Sequence, residues 1–182
     1  YFDTFEQDQF SVELQLSGSA IDDRLNWVAG VYAFEEDGEN LNPVDFTTVS
    51  LQSGGYFDYS SEAVFAQATF DFTEKLSVTA GMRYTKEDRD YLPDQYIEEM
   101  PLGGLPFPCF NYSDGSLKVC ALGDRVVPYE TVNNSISENT PMASISYSPT
   151  DDLMLYATYS EGFKVGGFTQ RIFPPEASLP SF

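Results

Sequence analysis

Histidine is missing from this chain altogether, and only 9 of its 182 residues are lysine or arginine. The first absence removes the commonest metal ligand and the usual general base. The second argues against a nucleic-acid partner: 29 acidic residues set the formal net charge at -20, whereas a phosphate backbone must be neutralised by Lys and Arg. The same surplus disfavours electrostatic attachment to anionic lipid. No apolar run approaches the roughly 20 residues a spanning helix requires, and no basic-then-apolar targeting segment is present in the stretch. Barrels survive that test, because a spanning strand needs only about 9 to 11 residues of alternating character. Cysteine is scarce too. Cys109 and Cys120 show no CxxC spacing and have no histidine to complete a zinc site.

Aromatic residues, by contrast, make up 15% of the chain, and 13 Gly and 11 Pro punctuate it. That balance suits an all-β protein with long loops, and the length suffices for one domain with a sizeable core.

Residues 64–84, VFAQATFDFTEKLSVTAGMRY, give the clearest signal. Val64, Ala66, Ala68, Phe70 and Phe72 fall on one face of an extended chain, with Phe65, Gln67, Thr69 and Asp71 on the other. Leu76, Val78, Ala80, Met82 and Tyr84 repeat the pattern after the short turn Thr73, Glu74, Lys75. Neither run keeps the i, i+3, i+4 spacing of a helix. The alternation also marks Phe10, Val12, Leu14 and Leu16, then Ala143, Ile145 and Tyr147, then Leu153, Leu155, Ala157 and Tyr159. Residues 25–34 are apolar on both faces, which leaves the orientation of that strand open.

Six strands are therefore expected, with short connections at 18–24, 73–75 and 148–152 and long loops at 35–61, 85–138 and after Gly162. Short and long connections never share an end, the asymmetry of an outer-membrane barrel with tight periplasmic turns and long extracellular loops. Phe72, Tyr84, Tyr147 and Tyr159 sit near strand ends, where aromatic girdles lie. A soluble β-sandwich or lipocalin-like barrel would show the same alternation.

The segments LNWVAGVYAF, EAVFAQATFDFTEKLSVTAGMRYTKEDRDY and LMLYATYSEGFKVGGF resemble the β-barrel of TonB-dependent outer-membrane receptors. The string Tyr159, Gly162, Phe163, Lys164, Gly166, Gly167, Phe168 is the most specific part, and the resemblance covers residues 10–168. It implies an antiparallel transmembrane β-barrel of about 22 strands, plugged by a separate N-terminal domain. It further implies a multi-pass protein of the bacterial outer membrane that binds a scarce nutrient, a ferric siderophore, cobalamin or oligosaccharide, and imports it with energy supplied by TonB. No plug or TonB box stands before Tyr1, and Pro174, Pro175 and Pro180 interrupt the stretch where a closing strand would lie. Residues 1–182 are thus expected to be six up-and-down strands from the middle of a longer receptor. The alternatives are a passive outer-membrane barrel, or a secreted carbohydrate-binding sandwich that does not transport.

On this reading the partners are TonB, acting through the plug, outer-membrane lipid, and a small-molecule nutrient or metal chelate. Ligand contact falls to lumen-facing Arg83, Tyr156 and Thr158 and to Lys86, Phe163 and Lys164 at the loop bases; the cations among them could engage an anionic chelate. The plainer role for such residues is hydrogen bonding to the plug or to one another. Cys109 and Cys120 share one long loop and are expected to form a local disulfide in an oxidising exterior. Asp37, Glu39 and Asp45, or Asp88, Asp90 and Asp94, offer oxygen ligands for calcium, but their spacing fits a solvated acidic loop better than an EF-hand. Asn111-Tyr112-Ser113 and Asn133-Asn134-Ser135 match the glycosylation acceptor, which a bacterial outer-membrane protein would not normally use. No catalytic constellation, cofactor motif or metal site is found, so a non-enzyme is expected.

Overall fold

The computed structural model describes residues 3–46, 49–100, 105 and 108–181. Tyr1, Phe182 and most of the Pro-Gly-rich stretch before Cys109 lie outside the described residues. The strands are β1 (Thr4–Ala20), β2 (Leu25–Phe46), β3 (Val49–Thr73), β4 (Leu76–Pro93), β5 (Tyr96–Glu99), β6 (Pro108–Asn111), β7 (Ser116–Val119), β8 (Val132–Thr150) and β9 (Leu153–Ser160). One antiparallel sheet runs in the order β1-β2-β3-β4-β8-β9, with β5 added beside β3, while β6 and β7 form a separate hairpin.

The register sorts the side chains into two faces. Leu16, Ala29, Ala66 and Met82 stand opposite one another across four strands, as do Leu14, Val31, Val64 and Tyr84. One rung away on the other face run Gln15, Gly30, Phe65, Arg83 and Thr140. Trp27, Ala29 and Val31 thereby join the apolar face, which settles the orientation of residues 25–34. That face is open: Leu14 is 65% exposed and Leu16 66%, and no second layer covers it among the described residues. A water-soluble sandwich would bury these residues; here the apolar band is on the outside.

The six strands are the expected six, and all but β9 are longer than expected. Residues 35–46 and 49–61, read from sequence as a loop, are fully paired, from Glu35 opposite Ser60 to Phe46 opposite Val49. The polar tail from Thr85 stays in β4 to Pro93, and β8 starts at Val132. β2 alone has 22 residues, about 70 Å at roughly 3.3 Å per residue, well beyond the 9 to 11 residues that cross a bilayer. The loop assignment fails because ladder hydrogen bonds join backbone groups, whatever the side chains are; where both faces are polar the period-two signal vanishes but the pairing does not.

The compact apolar core lies at the far end of the sheet. It comprises Val49, Leu51, Ile97, Cys109, Cys120 and Val126, with Met100, Leu105 and Phe173 against it. A disulfide joins Cys109 to Cys120 and closes the β6–β7 hairpin onto this core. At the opposite end the turns are tied together: Arg24 donates to the carbonyls of Asp71 (2.9 Å) and Phe72 (2.8 Å), and Lys75 Nζ to that of Pro149 (3.0 Å).

Candidate functional site

The inner face changes character along its length. Near the short turns it is hydroxyl-rich, with Thr69 and Thr79 sharing a 2.8 Å hydrogen bond and Ser144 and Thr158 one of 2.9 Å. Higher up it becomes aromatic and cationic. The Arg83 guanidinium lies over the rings of Tyr32 (5.3 Å) and Phe65 (5.7 Å), and its Nε donates to Thr85 Oγ1 at 3.1 Å. Above it, Arg89 lies over Tyr59 at 5.2 Å and pairs with Glu87 at 3.2 Å. Phe57 then packs on Tyr59 and stacks with Phe5.

Two glycines make this wall possible. A Cβ on Gly30 would come within 2.6 Å of the Phe65 ring, and one on Gly38 within 2.8 Å of the Phe57 ring. Each ring lies across the strand onto the glycine paired with it, so no larger residue fits without moving the ring. For Gly30 the sequence signal is a lone glycine inside strand pattern, whereas Gly38 falls in residues read as loop; in neither case does a single strand reveal which ring lies over the glycine.

After β9 the chain turns back across the same face. Phe168 stacks on Tyr91 at 5.7 Å, Ser53 Oγ donates to the Gln170 carbonyl at 2.9 Å, Ile172 N donates to Gln95 Oε1 at 3.3 Å, and Phe173 stacks on Phe46. Val165 and Ile172, within this strap, are buried. Burial raises the Tyr91 hydroxyl above its ordinary value. In the far-end loops Tyr112 donates to the Glu176 carbonyl at 2.8 Å, and burial first, then the nearby Glu176 and Asp124 charges, push its hydroxyl to about 12.

The strap brings two of the sequence-derived candidates together. Arg83 and Phe163 line one cavity of about 380 Å³, with Tyr32, Phe34, Ser61, Thr85 and Glu87. Tyr156 and Thr158 lie on the inner face of β9, two strands from Arg83 on β4 in the sheet order β4-β8-β9. Lys164 is exposed on the strap. Lys86 shares the outward parity of Met82 and Tyr84 and sits beside Glu62 at the upper border of the apolar band. Its ammonium pairs with Asp88 at 2.7 Å, and the hydrogen bonds from Lys86 first, then Ser135, hold the Asp88 carboxyl below its usual range.

The acidic residues considered for calcium are spread along strands and engaged separately. Asp45 accepts from the Ser50 hydroxyl, Asp90 from Asn133 at 2.8 Å, and Asp94 pairs with Arg125. No group of three or more potential ligands is placed to hold a metal among the described residues.

A family model described as TonB dependent receptor-like, beta-barrel, matches residues 1–181. No curated protein matches the chain. Among solved structures, the crystal structure of the ferric yersiniabactin uptake receptor FyuA from Yersinia pestis is similar, with a TM-score of 0.71 and 16% sequence identity over 99% of this chain and 24% of that one. At that identity the likeness establishes the fold, and the chain spans about a quarter of that receptor's length.

Proposed function

The chain belongs to the TonB-dependent receptor β-barrel family, and from that premise we propose that it forms part of the wall of a bacterial outer-membrane receptor that binds a scarce nutrient and imports it with energy from TonB. The observation that carries this reading is the sorting of one six-strand meander into an apolar face turned outward and a polar, aromatic face turned inward. The short turns then lie in the periplasm and the far-end core and hairpins outside the cell, so the acidic strand extensions stand clear of the bilayer. Arg83 and Phe163 are the ligand-contacting pair on the wall, Tyr156, Thr158 and Lys164 line the path around them, and Lys86 faces the membrane border. A plug and the remaining strands complete the lumen.

The test uses the full-length polypeptide in its native envelope. Outer-membrane fractionation and cross-linking to the periplasmic domain of TonB should both be positive. Recovery from the outer membrane without a TonB cross-link would replace the energised receptor by a passive barrel. Recovery from the soluble or secreted fraction would remove the membrane reading as well.

A further inference from the structure

We propose that the Arg83 cavity takes an aromatic carboxylate, the guanidinium receiving the carboxylate and Tyr32, Phe34 and Phe163 receiving the ring. This rests on the receptor reading and narrows it to a ligand chemistry. Four cation–carboxylate pairs occur among the described residues, Lys86–Asp88, Arg89–Glu87, Lys118–Asp124 and Arg125–Asp94. Arg83 is in none of them, in a chain whose acidic residues outnumber its basic ones by three to one. Of the five N–H donors on a guanidinium, Nε is used by Thr85, and the Nη groups meet no carboxylate among the described residues. A half-buried cation without an anion is an incomplete arrangement. The Tyr32 and Phe65 rings beneath Arg83 partly desolvate it and restrict its orientation, which leaves the planar edge that matches a carboxylate in two parallel hydrogen bonds.

The remaining lining selects what the carboxylate is attached to. Phe163, from the strap, and Phe34, from β2, provide apolar ring surface, and Ser61 and Thr85 provide hydroxyls. The cavity carries one carboxylate of its own, Glu87, and that is held by Arg89 at 3.2 Å, so the local charge stays positive. At about 380 Å³ the space is within the range of small-ligand sites, roughly 300 to 1,000 Å³. A neutral sugar would leave the cation unpaired; a bare oxyanion such as phosphate would leave the rings uncovered.

The experiment is ligand-observed NMR on the full-length polypeptide in detergent, with benzoate, benzyl alcohol, cyclohexanecarboxylate and inorganic phosphate as probes. Benzoate should bind, with benzyl alcohol weaker by about tenfold or more, the loss of a charge-assisted hydrogen bond, and cyclohexanecarboxylate weaker by several-fold, the loss of ring stacking. Arg83→Gln should weaken benzoate by about tenfold or more, and Phe163→Ala by several-fold. Arg83→Lys keeps the charge and loses the fork; it should fold even where the glutamine variant does not, and should also weaken benzoate. Equal binding of benzyl alcohol and benzoate, displacement of benzoate by phosphate, or unchanged affinity in both Arg83 variants would overturn the proposal. So would benzoate binding that appears only after the plug is removed, which would show that a plug carboxylate occupies Arg83. A positive TonB cross-link alongside any of these results leaves the receptor reading intact, so the two fail separately.

Discussion

Gly30 has no side chain at the point where the Phe65 ring crosses from β3, and the Phe65 ring in turn supports Arg83. Gly30→Ala drives a methyl group into that ring and into the Leu14 carbonyl 2.8 Å away. The expected cost is about 1 to 3 kcal/mol, as for overpacking elsewhere, read from urea unfolding of the full-length polypeptide in lipid vesicles. An unchanged midpoint would mean that the ring has another resting place. Asp88 supplies a prediction of opposite simplicity. Its carboxyl is held below the ordinary value of 3.8 by Lys86 and Ser135. A lowered folded value contributes stability that is present above the unfolded value and lost as pH falls through the folded one. The Asp88 carboxyl carbon should therefore titrate in NMR with a midpoint below 3.8, and Lys86→Met should move the midpoint upward. Being at the surface, the pair is expected to matter little to overall stability.

Strands behave differently inside the apolar band and beyond its border. Ala80 sits on the outward face beside Trp27, Ala68 and Met82, in the middle of the apolar band. Ala80→Arg should cost about 2 to 4 kcal/mol there, measured by unfolding from vesicles; Ser77→Arg, one face over, should cost much less. Beyond the border the strands stay paired without an apolar face, and the β6–β7 hairpin is fastened by its disulfide. Reducing Cys109–Cys120 removes a covalent link of the kind typically worth about 2 to 4 kcal/mol. Hydrogen exchange should accelerate in β5 and β6, whose Ile97 and Cys109 lie in that core, and in β7, which pairs with β6, while amides of β2 near Gly38 keep their protection. Acceleration throughout β2 would show that the far end unfolds as one unit.

For the molecule as a whole, the largest consequence is the placement of apolar surface. Leu14, Leu16, Val31, Val64 and Met82 are all more than half exposed, and β1 and β9 each pair with one neighbour only among the described residues. Unpaired edges beside an apolar band template association. The 182-residue chain produced by itself in water is therefore expected to sediment as aggregate and to disperse only in detergent. A monomer in detergent-free buffer, seen by analytical ultracentrifugation, would contradict the outward assignment of that face. The formal charge of -20 acts at a different level: it keeps the polar strand extensions hydrated and does not choose the fold.

Alternation along a strand is a local property, so the sequence by itself determined the six strands, the positions of their short turns, and the facing of Leu14, Val64, Ala80 and Ile145. It also held the motif around Phe163 that the family match covers. The tertiary structure decided what depends on distant partners. Pairing of polar segments is fixed by backbone hydrogen bonds in register with a neighbouring strand, which is why residues 35–46 and 49–61 are strand rather than loop. The meeting of Phe163 with Arg83 requires a strap to cross the sheet, and the packing of Phe65 on Gly30 requires two strands to align. Neither leaves a periodic trace in the chain, because each is a contact between residues whose local patterns are independent.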